Sequence, residues 1–138
     1  MMLVDSNVWI DIIQRDPVWL DWSLDQLALA ASSHQLAVNP VICAELAPNF
    51  DSKAQLDAFI KRSKVKVLPL SNACAYLAGR AHLQYRQHKR ISTAAVVGVL
   101  ADFFIGAQAL TEGIAVLTRD AARYRAYFPD IVLVCPKG

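Results

Sequence analysis

Five short apolar runs, Leu3 to Val4, Leu36 to Val38, Val65 to Leu70, Ile114 to Leu117 and Ile131 to Val134, constrain this chain more than any other feature. They are rich in β-branched residues and too short for helices, the pattern of strands buried on both faces. Helical patterns separate them: Val8 to Gln14, Val18 to His34, a helix opened by Pro40 after Asn39 and closed near Pro48, a run capped by Ser52 that reaches Arg62, Ser71 to His88, and Val96 to Thr111. The alternation predicts a three-layer α/β/α domain with a mainly parallel central sheet, in which polar groups at strand C-terminal ends converge on one edge. With 138 residues, 55% of them hydrophobic, a single domain over residues 1–138 has ample material for a core.

Several classes are disfavoured. The three cysteines, Cys43, Cys74 and Cys135, lie far apart and form no Cys-x-x-Cys pair. Neither a disulfide framework nor a zinc site is indicated, and a reducing, cytoplasmic setting fits. Met1-Met2-Leu3-Val4-Asp5 lacks the basic and long apolar segments of a secretory signal and is expected to be a first strand. Thr93 to Leu110 is nearly all apolar or small, but Asp102 falls near its middle. An aspartate at the centre of a spanning helix costs roughly 2.5 to 3.5 kcal/mol, so a buried helix carrying one functional carboxylate is expected instead of a membrane span. The net charge of +2 divides into −6 over residues 1–60 and +8 over residues 61–138. That split suits a face for a polyanion, a solvated surface or an intersubunit contact, and a catalytic site must stand beside it before it favours nucleic acid.

Four carboxylates stand out. Asp5 directly follows the first apolar run, in Leu3-Val4-Asp5-Ser6-Asn7, so it should emerge at a strand's C-terminal end; alone it reads as an N-cap worth about 1 kcal/mol. Asp120 repeats the arrangement in Val116-Leu117-Thr118-Arg119-Asp120. Glu45 is the only charge in the short apolar helix Val41 to Ala47, and Asp102 has core-like neighbours at i±3 and i±4. For each of these two, a tertiary salt bridge or cap is the competing explanation. Four acids at one edge repel, by about 4 kcal/mol per pair at ~4 Å and an effective dielectric of 20, and a multivalent cation reconciles them. All-oxygen ligands point to Mg²⁺ or Mn²⁺, since His34, His82 and His88 have no metal-ligand spacing. Such a site suits phosphodiester hydrolysis by a metal-activated water. Ser6, Asn7 and Thr118 are placed to hydrogen-bond the acids, or serve equally well as turn and cap residues.

Leu3-Val4-Asp5-Ser6-Asn7-Val8-Trp9-Ile10-Asp11, the lone Glu45, Asp102-Phe103-Phe104-Ile105-Gly106-Ala107, and Leu117-Thr118-Arg119-Asp120 followed by Arg123-Tyr124-Arg125-Ala126-Tyr127-Phe128-Pro129 together resemble VapC-like PIN-domain toxins in order and separation. The likeness spans essentially the whole chain. It implies a three-layer PIN fold, Mg²⁺- or Mn²⁺-dependent ribonuclease activity in a type II toxin-antitoxin module, frequent homodimers, and a small cognate antitoxin whose tail enters the active-site groove. Asp5, Glu45, Asp102 and Asp120 fall on the family's acidic positions, with Asp5 and Asp102 as principal metal ligands, Glu45 in support, and Asp120 binding a second ion or acting through water. Ser6 and Thr118 match hydroxyl positions. Two departures are Ala101, where relatives often have Pro, and Gln108, where they often have His.

Arg80, Arg86, Lys89 and Arg90, with Arg119, Arg123 and Arg125, are candidates to line a groove for RNA phosphates, and Tyr85, Tyr124 and Tyr127 to stack on unpaired bases; for each residue alone a solvated helix end or a core position is the plainer reading. A non-catalytic PIN-like module that binds RNA or its partner is the first alternative. A phosphatase of the haloacid-dehalogenase type also begins with a strand ending in Asp, but needs a second Asp where this chain has Asn7. A purely structural protein leaves the buried acids without a reason.

Overall fold

The computed structural model describes residues 1–89 and 99–137, with Lys89 described in its backbone alone. The strands are β1 (Met2–Val4), β2 (Leu36–Val38), β3 (Lys66–Val67), β4 (Ala115–Leu117) and β5 (Leu133–Val134). They form one sheet in the order β3-β2-β1-β4-β5, and every neighbouring pair is parallel. Seven α-helices flank it among the described residues: α1 (Ser6–Ile13), α2 (Leu20–Ser33), α3 (Pro40–Leu46), α4 (Lys53–Arg62), α5 (Asn72–Lys89), α6 (Leu100–Glu112) and α7 (Ala122–Tyr127). The sheet is thus wholly parallel where a mainly parallel one was expected. The start of the expected helix at Val96 lies outside the described residues.

Local chemistry sets the boundaries. Asn39 Oδ1 accepts from the Ile42 amide at 2.8 Å, with Pro40 at the first helical position of α3. Ser52 Oγ accepts from the Gln55 amide at 3.2 Å and opens α4. Gly113 ends α6 at φ 66°, a left-handed conformation that glycine adopts without steric cost. Within α6, Gly106 makes room for Phe128, whose ring carbon would lie 2.4 Å from a Cβ built there.

The core is continuous through the sheet: Leu3, Val4, Ala37, Val38, Val116 and Leu117 are fully buried, as are Val8, Ile42, Phe103 and Ile105 from the covering helices. No helix among the described residues is long and apolar enough to cross a membrane.

This strand order locates the site. The chain runs from β1 outward to β2 and β3, then returns to the other side of β1 with β4 and β5. The reversal opens a crevice at the carboxyl ends of β1 and β4, where ligands bind in open parallel sheets. Asp5 follows β1 directly and Thr118 follows β4 directly.

Candidate active site

Asp5 is 3% exposed and both oxygens of its carboxylate accept hydrogen bonds. Oδ1 accepts from the Ser6 amide at 2.7 Å and the Ser6 hydroxyl at 3.4 Å. Oδ2 accepts from Thr118 Oγ1 at 2.9 Å, Tyr124 Oη at 2.8 Å and Asn7 Nδ2 at 3.5 Å. Asp5 therefore caps α1, as its sequence position allowed, and is also the hub of a network spanning β1, β4 and α7. Burial pushes its pKa up, against the lowering effect of Tyr124, Thr118 and Ser6.

Ser6 also reaches Glu45: its hydroxyl donates to Oε1 at 3.0 Å. Glu45 is half-buried on α3, and burial raises its pKa, with the Asp5 charge adding to the rise and Ser6 opposing it. Asp102 stands in the first turn of α6. Burial first, then the charge on Asp5, raise it to about 6, with a smaller push from Glu45 and an opposing pull from Arg123. Asp5, Glu45 and Asp102 thus lie close enough to feel one another's charge.

The tertiary salt bridge that the sequence left open for Asp102 is present. Arg123, from α7, forms an ion pair with Asp102 Oδ2, bringing in a cation that lies 21 residues away in sequence. The donor set of three carboxylates and two hydroxyls fits a hard divalent cation in its chemistry. Even so, no group of three acidic, histidine or cysteine side chains among the described residues is gathered at metal-holding distance.

Asp120 is exposed, and its place in the turn is fixed through its backbone: its amide donates to Thr118 Oγ1 at 3.1 Å, and its carbonyl accepts from that hydroxyl at 3.3 Å. Its side chain lines a pocket of about 290 Å³ with Tyr85, Ala122, Arg123, Ala126 and Tyr127. Asn7 holds the same turn, donating to Thr118 Oγ1 at 3.2 Å and accepting from the Arg119 amide at 3.1 Å.

Two candidates for contact with RNA have other occupations. Tyr124 is 1% exposed and points inward to Asp5, so it has no free face for a base. Arg119 is bound in bidentate fashion to the buried Asp11, at 2.9 Å through both Nε and Nη2, and lies over the Trp19 ring. Asp11 also accepts from Ser23 Oγ at 2.9 Å, so the pair ties α1 and α2 to the turn after β4. Sequence reading missed the role of Asp11, although its i−3 neighbour Val8 marks a buried face. Arg80, Arg86 and Arg125 are exposed. Arg90 and the side chain of Lys89 lie outside the described residues. Tyr85 and Tyr127 are half-buried, packing edge to face at 5.8 Å.

Gln108 is fully buried, accepting from Asn39 Nδ2 at 2.9 Å and donating to the Pro69 carbonyl at 3.1 Å. Asn39 in turn caps α3, the helix that carries Glu45. The amide at this position thus links α6 to the end of β2.

A family model for the PIN domain matches residues 2–129. The chain belongs to the PIN-domain family. Solved structures share the fold of this PIN domain. VapBC2 from Rickettsia felis, bound to a DNA fragment from its promoter, aligns with a TM-score of 0.68 at 19% identity over 99% of this chain and 98% of its own. VapBC-1 from nontypeable Haemophilus influenzae gives 0.67 at 18%, covering 97% and 96%. Mycobacterium tuberculosis VapC20, a toxin that cleaves the sarcin-ricin loop, gives 0.62 at 16%, covering 99% and 100%. No curated protein matches the chain.

Proposed function

We propose that this PIN domain is a Mg²⁺- or Mn²⁺-dependent endoribonuclease, the VapC-like toxin of a type II toxin-antitoxin module. The observation that carries the reading is the meeting of Asp5, Glu45 and Asp102 at the carboxyl ends of β1 and β4, where Asp102 feels the charge of both other acids. Structural neighbours that include VapBC complexes and an RNA-cleaving VapC support it.

In this reading Asp5 and Asp102 hold the ion, Glu45 assists, and Asp120 holds a second ion or a water at the pocket mouth. What the ion supplies when bound is Lewis acidity toward the phosphodiester and its attacking water. The chain's own residues set the geometry. Ser6 donates its amide to Asp5 and its hydroxyl to Glu45, fixing their spacing, while Thr118 and Tyr124 lock the Asp5 carboxylate in one orientation. Asn7 and Thr118 hold the turn bearing Asp120. RNA is the substrate, the setting is the cytoplasm, the chain pairs with a second copy, and a cognate antitoxin covers the site.

One observation favours a second reading: with Arg123 on Asp102 and no three-acid group at metal distance among the described residues, the chain can be a PIN-like module that binds RNA or its partner without cutting. Cleavage of total cellular RNA by the purified, antitoxin-free protein in Mg²⁺, Mn²⁺ or EDTA separates the two. Discrete products that require metal and vanish in Asp5→Asn and Asp102→Asn support the nuclease. Folded protein that cuts nothing, or cuts regardless of EDTA and both substitutions, leaves the binding module.

A further inference from the structure

The two arginines beside the acids are held in different ways. Arg119 grips Asp11, whose side chain is 1% exposed, through two bonds and a ring contact, and loosening it would strand a buried charge. Arg123 grips Asp102 at the rim, where their side chains are 31% and 28% exposed. Its guanidinium also lies 5.7 Å from the Tyr85 ring centroid and borders the pocket of about 290 Å³ that Asp120, Tyr85 and Tyr127 line. The neighbouring Tyr124 is buried and bonded to Asp5, so the backbone of α7 is anchored beside the acids.

A divalent ion at the acids and a guanidinium on Asp102 compete for the same carboxylate and repel each other. The pocket beside it has an arginine at its edge and no other cation in its lining among the described residues. We propose that Arg123 is an exchangeable residue: it occupies Asp102 in the ion-free protein and transfers to a phosphate of single-stranded RNA in the adjacent pocket when a divalent cation takes its place. The proposal rests on the nuclease reading above. It assigns to one side chain two successive partners, a carboxylate and then a phosphate, so that the phosphate-binding cation becomes available as the ion arrives.

The test uses two measurements on the intact protein with opposite expected signs. Mn²⁺ binding, followed by the loss of the free-ion electron paramagnetic resonance signal, is expected to tighten severalfold in Arg123→Gln, because a competitor has gone. Binding of a fluorescein-labelled single-stranded RNA in Ca²⁺, with the RNA re-isolated intact, is expected to weaken. The slope of its log affinity against log salt should become shallower by about 0.7, the contribution of one phosphate contact on a single strand. Arg123→Lys, which keeps the charge, should retain the wild-type slope. A brace of the fold would instead lower Mn²⁺ and RNA binding together in both variants, and that result overturns the exchange. So does an unchanged salt slope or an unchanged Mn²⁺ affinity in Arg123→Gln. If the wild-type protein binds Mn²⁺ and cuts RNA but the variants miss this pattern, the exchange alone is wrong; if wild type binds no Mn²⁺, the nuclease reading falls and takes the exchange with it.

Discussion

Tyr124 shows how one hydroxyl can matter beside a buried charge. Its phenol donates to Asp5 Oδ2 at 2.8 Å from a position that water hardly reaches. A hydrogen bond to a charged group contributes about 1.5 to 3 kcal/mol, and Tyr124→Phe removes it while leaving the ring packing. The variant is expected to unfold at lower urea, by an amount in that range near pH 8, with an unchanged denaturant slope. The donor also holds down the Asp5 pKa, so its loss should let that group rise further. Since Tyr124 has no free face for substrate, cleavage should lose kcat with little change in KM, whereas a loss confined to KM would mean that the ring touches RNA after all. Sequence could not supply this: a core position was the plainer reading of Tyr124, but its partner lies 119 residues away and no local pattern names it. The positions of Asp5 and Asp120 at the ends of apolar runs were legible, because a strand end is a local feature.

At the level of elements, the caps were readable and the short pieces were not. Asn39-Pro40 and Ser52 open α3 and α4 where the sequence expected, through side-chain bonds made within three residues. Helix α7 was not expected, because six residues rich in Arg and Tyr have little helical signal of their own; Tyr124 and Phe128, both buried, hold it from outside. β3 is reduced to Lys66–Val67, an exposed edge pair, where an apolar run to Leu70 suggested more. Two predictions belong here. Gly106→Ala places a methyl 2.4 Å from the Phe128 ring, an overpacking expected to cost about 1 to 3 kcal/mol and to be relieved when Phe128→Leu is added. In Gln108→Leu, the buried Asn39 Nδ2 loses its partner in the core, at a cost of about 1 to 3 kcal/mol, while the Pro69 carbonyl lies at the edge where water can replace the bond. Chemical denaturation measures both. Equal stability of Gln108→Leu and wild type would show that α6 and α3 are held together without this bridge.

For the molecule as a whole, acids whose pKa burial raises make stability depend on pH and, under the nuclease reading, on metal as well. Burial, and then the charge of Asp5, raise Asp102 to about 6 despite Arg123. An unfolded aspartate titrates near 3.9. Between those values the folded chain keeps a proton that the unfolded chain has released. This contribution to stability is therefore complete below about pH 4 and is lost as pH rises to about 6. At about 1.4 kcal/mol per pKa unit the loss is at most on the order of 3 kcal/mol, since a side chain 28% exposed is partly screened. Asp5 and Glu45, also raised by burial, act in the same direction. In EDTA the thermal midpoint should accordingly fall across that window. Mn²⁺ at about 100 times its dissociation constant restores about 2.7 kcal/mol, and does so fully only above the window, because below it protons compete for the same oxygens. Asp102→Asn should make the EDTA profile shallower, leaving the share of Asp5 and Glu45, and remove most of the Mn²⁺ increment, since its carboxylate contributes to both. A Mn²⁺ increment equal at about pH 5 and pH 8, or untouched by the substitution, would place the ion away from these acids and detach the pH dependence from the site.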